Sequence, residues 1–370
     1  MRAYLDHAST TPLRPAARAA VIAWLERTDI GDPSRLHAEA MAARVAVEEA
    51  REVVAERFGA RPREVVFTSG ATESIAAACW GAQPGERGGH SVLSAVEHSA
   101  VREWAERAPH TIVGVDGVGR VDAEEIGRAV GATTAIVHCQ AANHEVGTVQ
   151  PVDAVVAAVD GRALVHVDAA QSAAWTVGAF GASGVDLMSI SGHKLGGPTG
   201  TGVLLVRRGL RVPPLLVGGD QERARRAGME NIAGIVGLAA ACAATDPDTE
   251  SSGAHVLTDR IVQWVTAADG VSLLGDTDPT GRAPHLVCLA LEGIEPQPVL
   301  IGLDAAGVAV HSGSSCSSEA LEPSPVLEAM GVDAQRSLRI SVGWSSTDAD
   351  IDRLLDALPR ILGELRSLAG

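Results

Sequence analysis

Ser189-Ile190-Ser191-Gly192-His193-Lys194-Leu195-Gly196-Gly197 contains the only lysine in a chain of 370 residues. Everywhere else positive charge is carried by arginine, the bias of an Arg- and Ala-rich genome, so the exception is informative. A guanidinium stays protonated and is a poor nucleophile. A lysine amine can shed its proton and condense with a carbonyl to form a Schiff base. Ser191-Gly192-His193-Lys194 follows an apolar run, 186–190, that reads as a strand.

Working outward, short apolar runs alternate with helical segments. Residues 64–68, 91–94, 135–138, 164–168, 186–190 and 202–206 read as strands, and 36–58 as one long helix. Such alternation predicts an α/β fold with a mainly parallel sheet covered on both faces. A shift to Asp, Pro, Thr, Glu, Ser and Gly over 245–253 marks a domain boundary. Beyond it, 285–291 and 337–342 alternate like half-buried strands, and 348–365 carries a leucine-rich helical face. The expected division is an N-terminal arm over 1–12 packing with the small domain, a large cofactor domain over 13–245, and a smaller α+β domain over 246–370.

The bulk composition narrows the function. A formal net charge of −16 argues against direct nucleic-acid binding. The opening residues lack the apolar core of a secretory signal, and no apolar stretch is long enough to span a bilayer. Five scattered cysteines without CxxC or metal-like spacing suit a reducing cytoplasm and no bound metal.

Three further features support the lysine. The run 64–68 leads through Ser69-Gly70-Ala71-Thr72-Glu73-Ser74 into an Ala-rich helix, whose first-turn amides and Thr72 hydroxyl suit a phosphate. Asp168 ends the run 164–168, at the strand end where open parallel sheets bind ligands. A carboxylate there can keep a pyridine nitrogen protonated, and Gln171 follows within reach of a phenolic oxygen. Phosphate loop, carboxylate and lysine, each at its own strand end, together point to pyridoxal 5'-phosphate (PLP).

Motifs along nearly the whole chain carry a family resemblance. They are Tyr4-Leu5-Asp6-His7-Ala8-Ser9-Thr10-Thr11-Pro12, residues 67–74, Glu97-His98-Ser99-Ala100-Val101, Asn143-His144-Glu145-Val146-Gly147 and His166-Val167-Asp168-Ala169-Ala170-Gln171-Ser172. Residues 191–194, 218–237, 312–318 and Leu321-Glu322-Pro323-Ser324 continue the series. The chain resembles the cysteine desulfurases, fold-type I PLP enzymes of the class-V aminotransferase type. That resemblance implies that Lys194 carries PLP, that His98 stacks on its ring and moves protons, and that Asp168 partners the pyridinium. It assigns Asn143 and Gln171 to the neighbourhood of the phenolic oxygen, and Ala71, Thr72, Ser191 and His193 to the phosphate. Arg339, on an alternating strand, matches the arginine that holds the substrate carboxylate two-pronged, with Asn143 nearby.

Chemistry within this fold varies, and the cysteines separate the possibilities. Cys79, Cys139, Cys242 and Cys288 sit in apolar runs and read as core residues. Cys316, in Ser312-Gly313-Ser314-Ser315-Cys316-Ser317-Ser318, has a polar, small-residue setting suited to a travelling nucleophile. The expected activity is conversion of L-cysteine to L-alanine through a Cys316 persulfide, with sulfur passed to an acceptor protein. A homodimer is implied by the resemblance. A selenocysteine or cystine lyase, an aminotransferase and a non-catalytic sulfur-transfer scaffold stay open as alternatives. Departures from the family pattern are Asp32 and Arg35 beside Pro33-Ser34, His144 for a second asparagine, Met229 for a phosphate-binding threonine, and Trp344 for an arginine.

Overall fold

The computed structural model describes residues 2–82, 89–176, 180–312 and 323–369. Its strands are β1 (Ala3–Tyr4), β2 (Val65–Thr68), β3 (His90–Ser94), β4 (His110–Val113), β5 (Thr134–Gln140) and β6 (Leu164–Asp168). They continue with β7 (Leu187–Ser191), β8 (Gly202–Val206), β9 (Val271–Leu274), β10 (Leu286–Leu291), β11 (Val308–Ala309) and β12 (Ser337–Ser341). Seven of them form the central sheet, in the order β2-β8-β7-β6-β5-β3-β4. All neighbours pair in parallel except β8, which runs antiparallel to both β7 and β2. The expected α/β fold with a mainly parallel sheet is therefore present.

The inner strands are buried on both faces, which is why they read as unbroken apolar runs rather than alternations. Helices Ala38–Arg57 and Ile232–Ala243 cover the sheet with Val47, Val54, Ile235 and Leu238 against Val165, Val167, Val203 and Leu205. With so few aromatics, this core is built from small branched side chains. A second core gathers Leu257, Ile261, Val287, Leu289, Leu338, Leu354 and Leu358 around the three-stranded sheet β12-β10-β9. Ala3 and Leu5 of the N-terminal arm belong to that second core, and β1 pairs in parallel with β11.

The same arm reaches back to the first core. Thr11 N–H donates to the His193 carbonyl (3.2 Å), and Arg14 N–H to that of Gly196 (2.9 Å). Arg14 Nε donates to the Leu195 carbonyl (2.8 Å), while its guanidinium pairs with Glu250 (2.6 Å). Trp344, left without a role by the sequence, donates from Nε1 to the Pro12 carbonyl (2.9 Å) and lies under the Arg14 guanidinium (5.5 Å). It pins the arm.

Beneath the sheet's ligand-binding end lies a buried polar chain. Cys79 Sγ is 3.7 Å from His138 Nε2, and the two Nδ1 atoms of His138 and His166 are 2.9 Å apart. His166 Nε2 is 2.8 Å from Ser189 Oγ. One imidazole must donate and the other accept, so at least one ring is neutral. Burial pushes His138 down to about 4 and His166 well below the usual histidine range. An unfolded chain takes up these protons below about pH 6.5, whereas the fold refuses them until far lower pH. Stability from these rings is thus complete above about pH 6.5 and lost as pH falls toward 4, His138 alone accounting for about 3 kcal/mol. The melting temperature should fall steeply between pH 6.5 and 5. A flat melting curve down to pH 5 contradicts this assignment.

Candidate active site

A cavity of about 650 Å³ opens at the ends of β2, β6 and β7, where the sheet hands over to turns and helix N-termini. Lys194 lines it from a single 3-10 turn, Gly192–Lys194, that continues directly from β7. Gly196 follows with φ +79°, a backbone that a side chain would strain, and lets the chain double back. The arm contacts to the carbonyls of His193, Leu195 and Gly196 hold that turn from outside.

Ala71 and Thr72 line the same cavity at the start of helix Ala71–Ala82. The first-turn amides of this helix have no intrahelical acceptor and face an end of positive dipole. Gly202 permits this placement: a Cβ on it would sit 2.5 Å from the Gly70 Cα, so only glycine lets β8 approach the turn. Ser191 and His193 also belong to the wall. His193 Nδ1 is 3.0 Å from Thr10 Oγ1, and burial with the nearby Lys194 charge pushes the imidazole down to about 4. Its ring is therefore a neutral hydrogen-bonding group.

Asp168 lines the cavity from the end of β6, with Oδ1 accepting from the Ala170 N–H (2.9 Å). Below it, Glu97 is buried and accepts the Gln140 N–H at Oε1 (2.7 Å). Burial, opposed by that bond and aided by the Asp168 charge, pushes Glu97 up to about 8, so Glu97 holds a proton at neutral pH. His98 caps helix Ser99–Ala105: its Nδ1 accepts from the Ala100 N–H (3.1 Å). In the neutral ring the proton is then on Nε2. His98 also forms part of the wall.

Other expected site residues stand differently. Gln171 lines the cavity, but its Nε2 donates to the Ala8 carbonyl (2.9 Å) and its Oε1 lies 3.2 Å from His285 Nε2. Asn143 is fully buried outside the cavity wall. Its Oδ1 accepts from the Glu145 and Val146 amides (2.9 and 2.8 Å), and its Nδ2 donates to the Val96 carbonyl (3.2 Å). The structure brings His144, not Asn143, to the wall. Nothing in the local sequence says which of two adjacent polar residues a tight turn aims inward.

Arg339, on β12, is 3% exposed and so is no surface residue. Its guanidinium donates to Asp6 Oδ1 (3.1 Å), Ser9 Oγ (2.6 Å) and the His144 carbonyl (2.9 Å), while Nε is buried without a partner among the described residues. Arg339 is outside the cavity wall, joined to it through Ser9 and His144. Cys316 lies outside the described residues; Cys79, Cys139, Cys242 and Cys288 are buried, as expected of core thiols. Among the described residues, no cluster of His, Cys, Asp and Glu could hold a metal, and no helix is long and apolar enough to cross a membrane.

A second cavity, of about 550 Å³, is lined by apolar groups such as Phe58, Val167, Trp175 and Met188 and contains no cationic side chain among the described residues. The chemistry therefore belongs to the first cavity.

Known proteins match the chain over nearly its whole length. The family model for class-V aminotransferases matches residues 3–354. The chain is 40% identical to an IscS-like cysteine desulfurase of Mycobacterium tuberculosis, covering 99% of this chain and 98% of that one. It is 39% identical to a cysteine desulfurase of Gluconacetobacter diazotrophicus, covering 99% and 94% respectively. Among solved structures, a NifS-like protein superposes with a TM-score of 0.91 at 31% identity, over 99% of this chain and all of that one. A structure described as SspA in complex with cysteine superposes at 0.82 with 28% identity, over 94% of this chain and all of that one. With an α/β sheet, a strand-end lysine and a full-length match to these proteins, the chain belongs to the cysteine desulfurases of the class-V aminotransferase family.

Proposed function

We propose that this protein is a PLP-dependent L-cysteine desulfurase that releases L-alanine and carries the sulfur on Cys316. The observation that carries the reading is one cavity. The chain's only lysine, a strand-end carboxylate, a helix-capping histidine and a helix N-terminus all line it, in a chain 40% identical to a cysteine desulfurase.

The donor set fits the cofactor. Ala71 and Thr72 amides with Thr72, Ser191 and His193 side chains would hold its phosphate, and Asp168 would face its ring nitrogen. When bound, PLP supplies a carbonyl for the Lys194 amine and an electron-withdrawing ring for charge developing at the substrate Cα. Asp168 would keep that ring's nitrogen protonated. The Lys194 amine would take the α-proton of the substrate, and His98, whose neutral ring carries its proton on Nε2, would give one. Arg339 supplies the carboxylate site, its buried Nε still without a partner among the described residues.

Cys316 would attack the substrate sulfur as thiolate. The sulfur–sulfur bond would form as the carbon–sulfur bond breaks, with the electron pair left on Cβ; protonation there and return of the proton to Cα would yield alanine. The resulting persulfide passes its outer sulfur to an acceptor thiol. Chain on either side of residues 313–322 is tied to the site: the His311 N–H donates to the Arg339 carbonyl (3.2 Å), and the His311 carbonyl accepts from the Arg339 N–H (2.7 Å). Ser324 Oγ donates to Glu145 Oε2 (2.7 Å). Cys316 follows Ser312 by four residues, a reach of at most about 14 Å. These anchors support delivery of its thiol to the cavity.

The two hydrophobic cores on either side of residues 245–247 support the division into domains 13–245 and 246–370, with the arm joining the latter. The family likeness, together with exposed apolar side chains such as Val217 (80%) and Met229 (57%), supports a homodimer.

Cys316→Ser should abolish alanine and sulfide production from L-cysteine while leaving the cofactor's absorbance intact; survival of both products contradicts the reading and favours a lyase. Arg339→Lys keeps the charge but loses the fork. It should raise KM for L-cysteine about tenfold or more with a smaller effect on kcat. An unchanged KM removes Arg339 from the substrate site.

A further inference from the structure

His144 stands in the wall beside Lys194 and is 8% exposed, with Nδ1 buried and without a partner among the described residues. Its neighbours in sequence are committed elsewhere: Asn143 to three backbone groups, and Glu145 to the Ser324 hydroxyl. A buried polar atom left unpaired is destabilising, so a fold retains one where a ligand or water completes it. Here the ring that carries the atom lines a ligand cavity.

The surroundings indicate the ligand's charge. The His144 ring meets the His98 ring edge to face at 5.1 Å and 72°. Its own carbonyl accepts from Arg339 Nη1 (2.9 Å). Burial first, then His98, Lys194, Arg339 and Arg102, push the imidazole well below the usual histidine range. The carboxylates nearby are already engaged: Asp6 on Arg339, Asp168 on the Ala170 amide, and Glu145 on Ser324. That end of the cavity has cations on α-helix, turn and strand alike, and an unused imidazole among them. It suits an anion.

We propose that His144 makes entry of the amino-acid substrate a proton-linked event, the ring taking a proton from solvent as the substrate's carboxylate arrives beside it. The inference rests on the amino-acid reading of the cavity above. A carboxylate at contact distance offsets the cations that keep the free ring neutral, so the ring binds a proton more tightly in the complex than without it. Between those two conditions binding consumes a proton, and affinity rises as pH falls. The asparagine usual at this position in the family offers a hydrogen bond but cannot titrate.

The test is calorimetric. PLP-loaded wild type and H144N, with H144Q as a second amide should H144N not fold, are titrated with L-alanine, which lacks sulfur and cannot be desulfurated. Buffers of different ionisation enthalpy give the protons exchanged, and the Lys194 chemistry is common to all three proteins and cancels in the difference. Wild type should take up more protons than either amide variant, by about half a proton or more near neutral pH. Its affinity advantage should grow as pH falls from 8 to 6.5, reaching roughly three- to tenfold, the scale of one charge-assisted hydrogen bond. Equal proton counts with binding retained in all proteins overturn the role of His144 alone. No alanine binding to wild type contradicts the amino-acid reading of the cavity, and this proposal with it.

Discussion

The hydrogen bonds from the N-terminal arm to the turn after β7 are the constraint on which the site depends. Thr11, Arg14 and Thr10 together hold His193, Leu195 and Gly196, so the residue between them, Lys194, has a fixed backbone. The same arm supplies Asp6 and Ser9 to Arg339 on a different sheet. One short segment therefore sets the spacing between the amine proposed to anchor the cofactor and the guanidinium proposed to hold the substrate. Arg14, buried and paired with Glu250, fixes where the arm turns, and Trp344 closes over it. Removing either should loosen two functional groups at once.

Charge in the cavity is arranged by burial as much as by pairing. Glu97 is kept protonated beneath Asp168, so the Asp168 carboxylate has no second negative charge beside it. His193 and His144 are kept neutral by desolvation and by neighbouring cations, which leaves them as hydrogen-bonding groups rather than competing charges. The polar chain from Cys79 to Ser189 applies the same logic one layer deeper, with every imidazole nitrogen matched. This is a site in which few groups are ionised and those few are opposed in sign.

Much of this was legible in the sequence because the central strands are buried on both faces and announce themselves as apolar runs. β6, β7 and β8 fall within a residue of the expected spans, with Asp168 at the end of β6 and Lys194 in the turn after β7. β4 escaped notice because it is an edge strand with Ile112 51% exposed and polar neighbours, so it presents no apolar run. β9 is short and half exposed for the same reason. The antiparallel direction of β8 follows from a tight return after Gly196, which strand periodicity does not encode. At Asn143 and His144 the limit is finer still: a turn decides which side chain faces inward, and both residues are polar. Trp344 acquires its role only through a carbonyl more than three hundred residues earlier.

The claim beneath all of this is that the chain's single side-chain amine holds the cofactor. Borohydride reduction of the PLP-loaded protein, followed by peptide mass spectrometry, tests it directly, because only Lys194 and the N-terminal amine can be labelled. The account predicts one stoichiometric pyridoxyl adduct on the peptide containing Lys194, absent from Lys194→Ala. An adduct confined to the N-terminus, or none at all in protein that still converts cysteine to alanine, would contradict it.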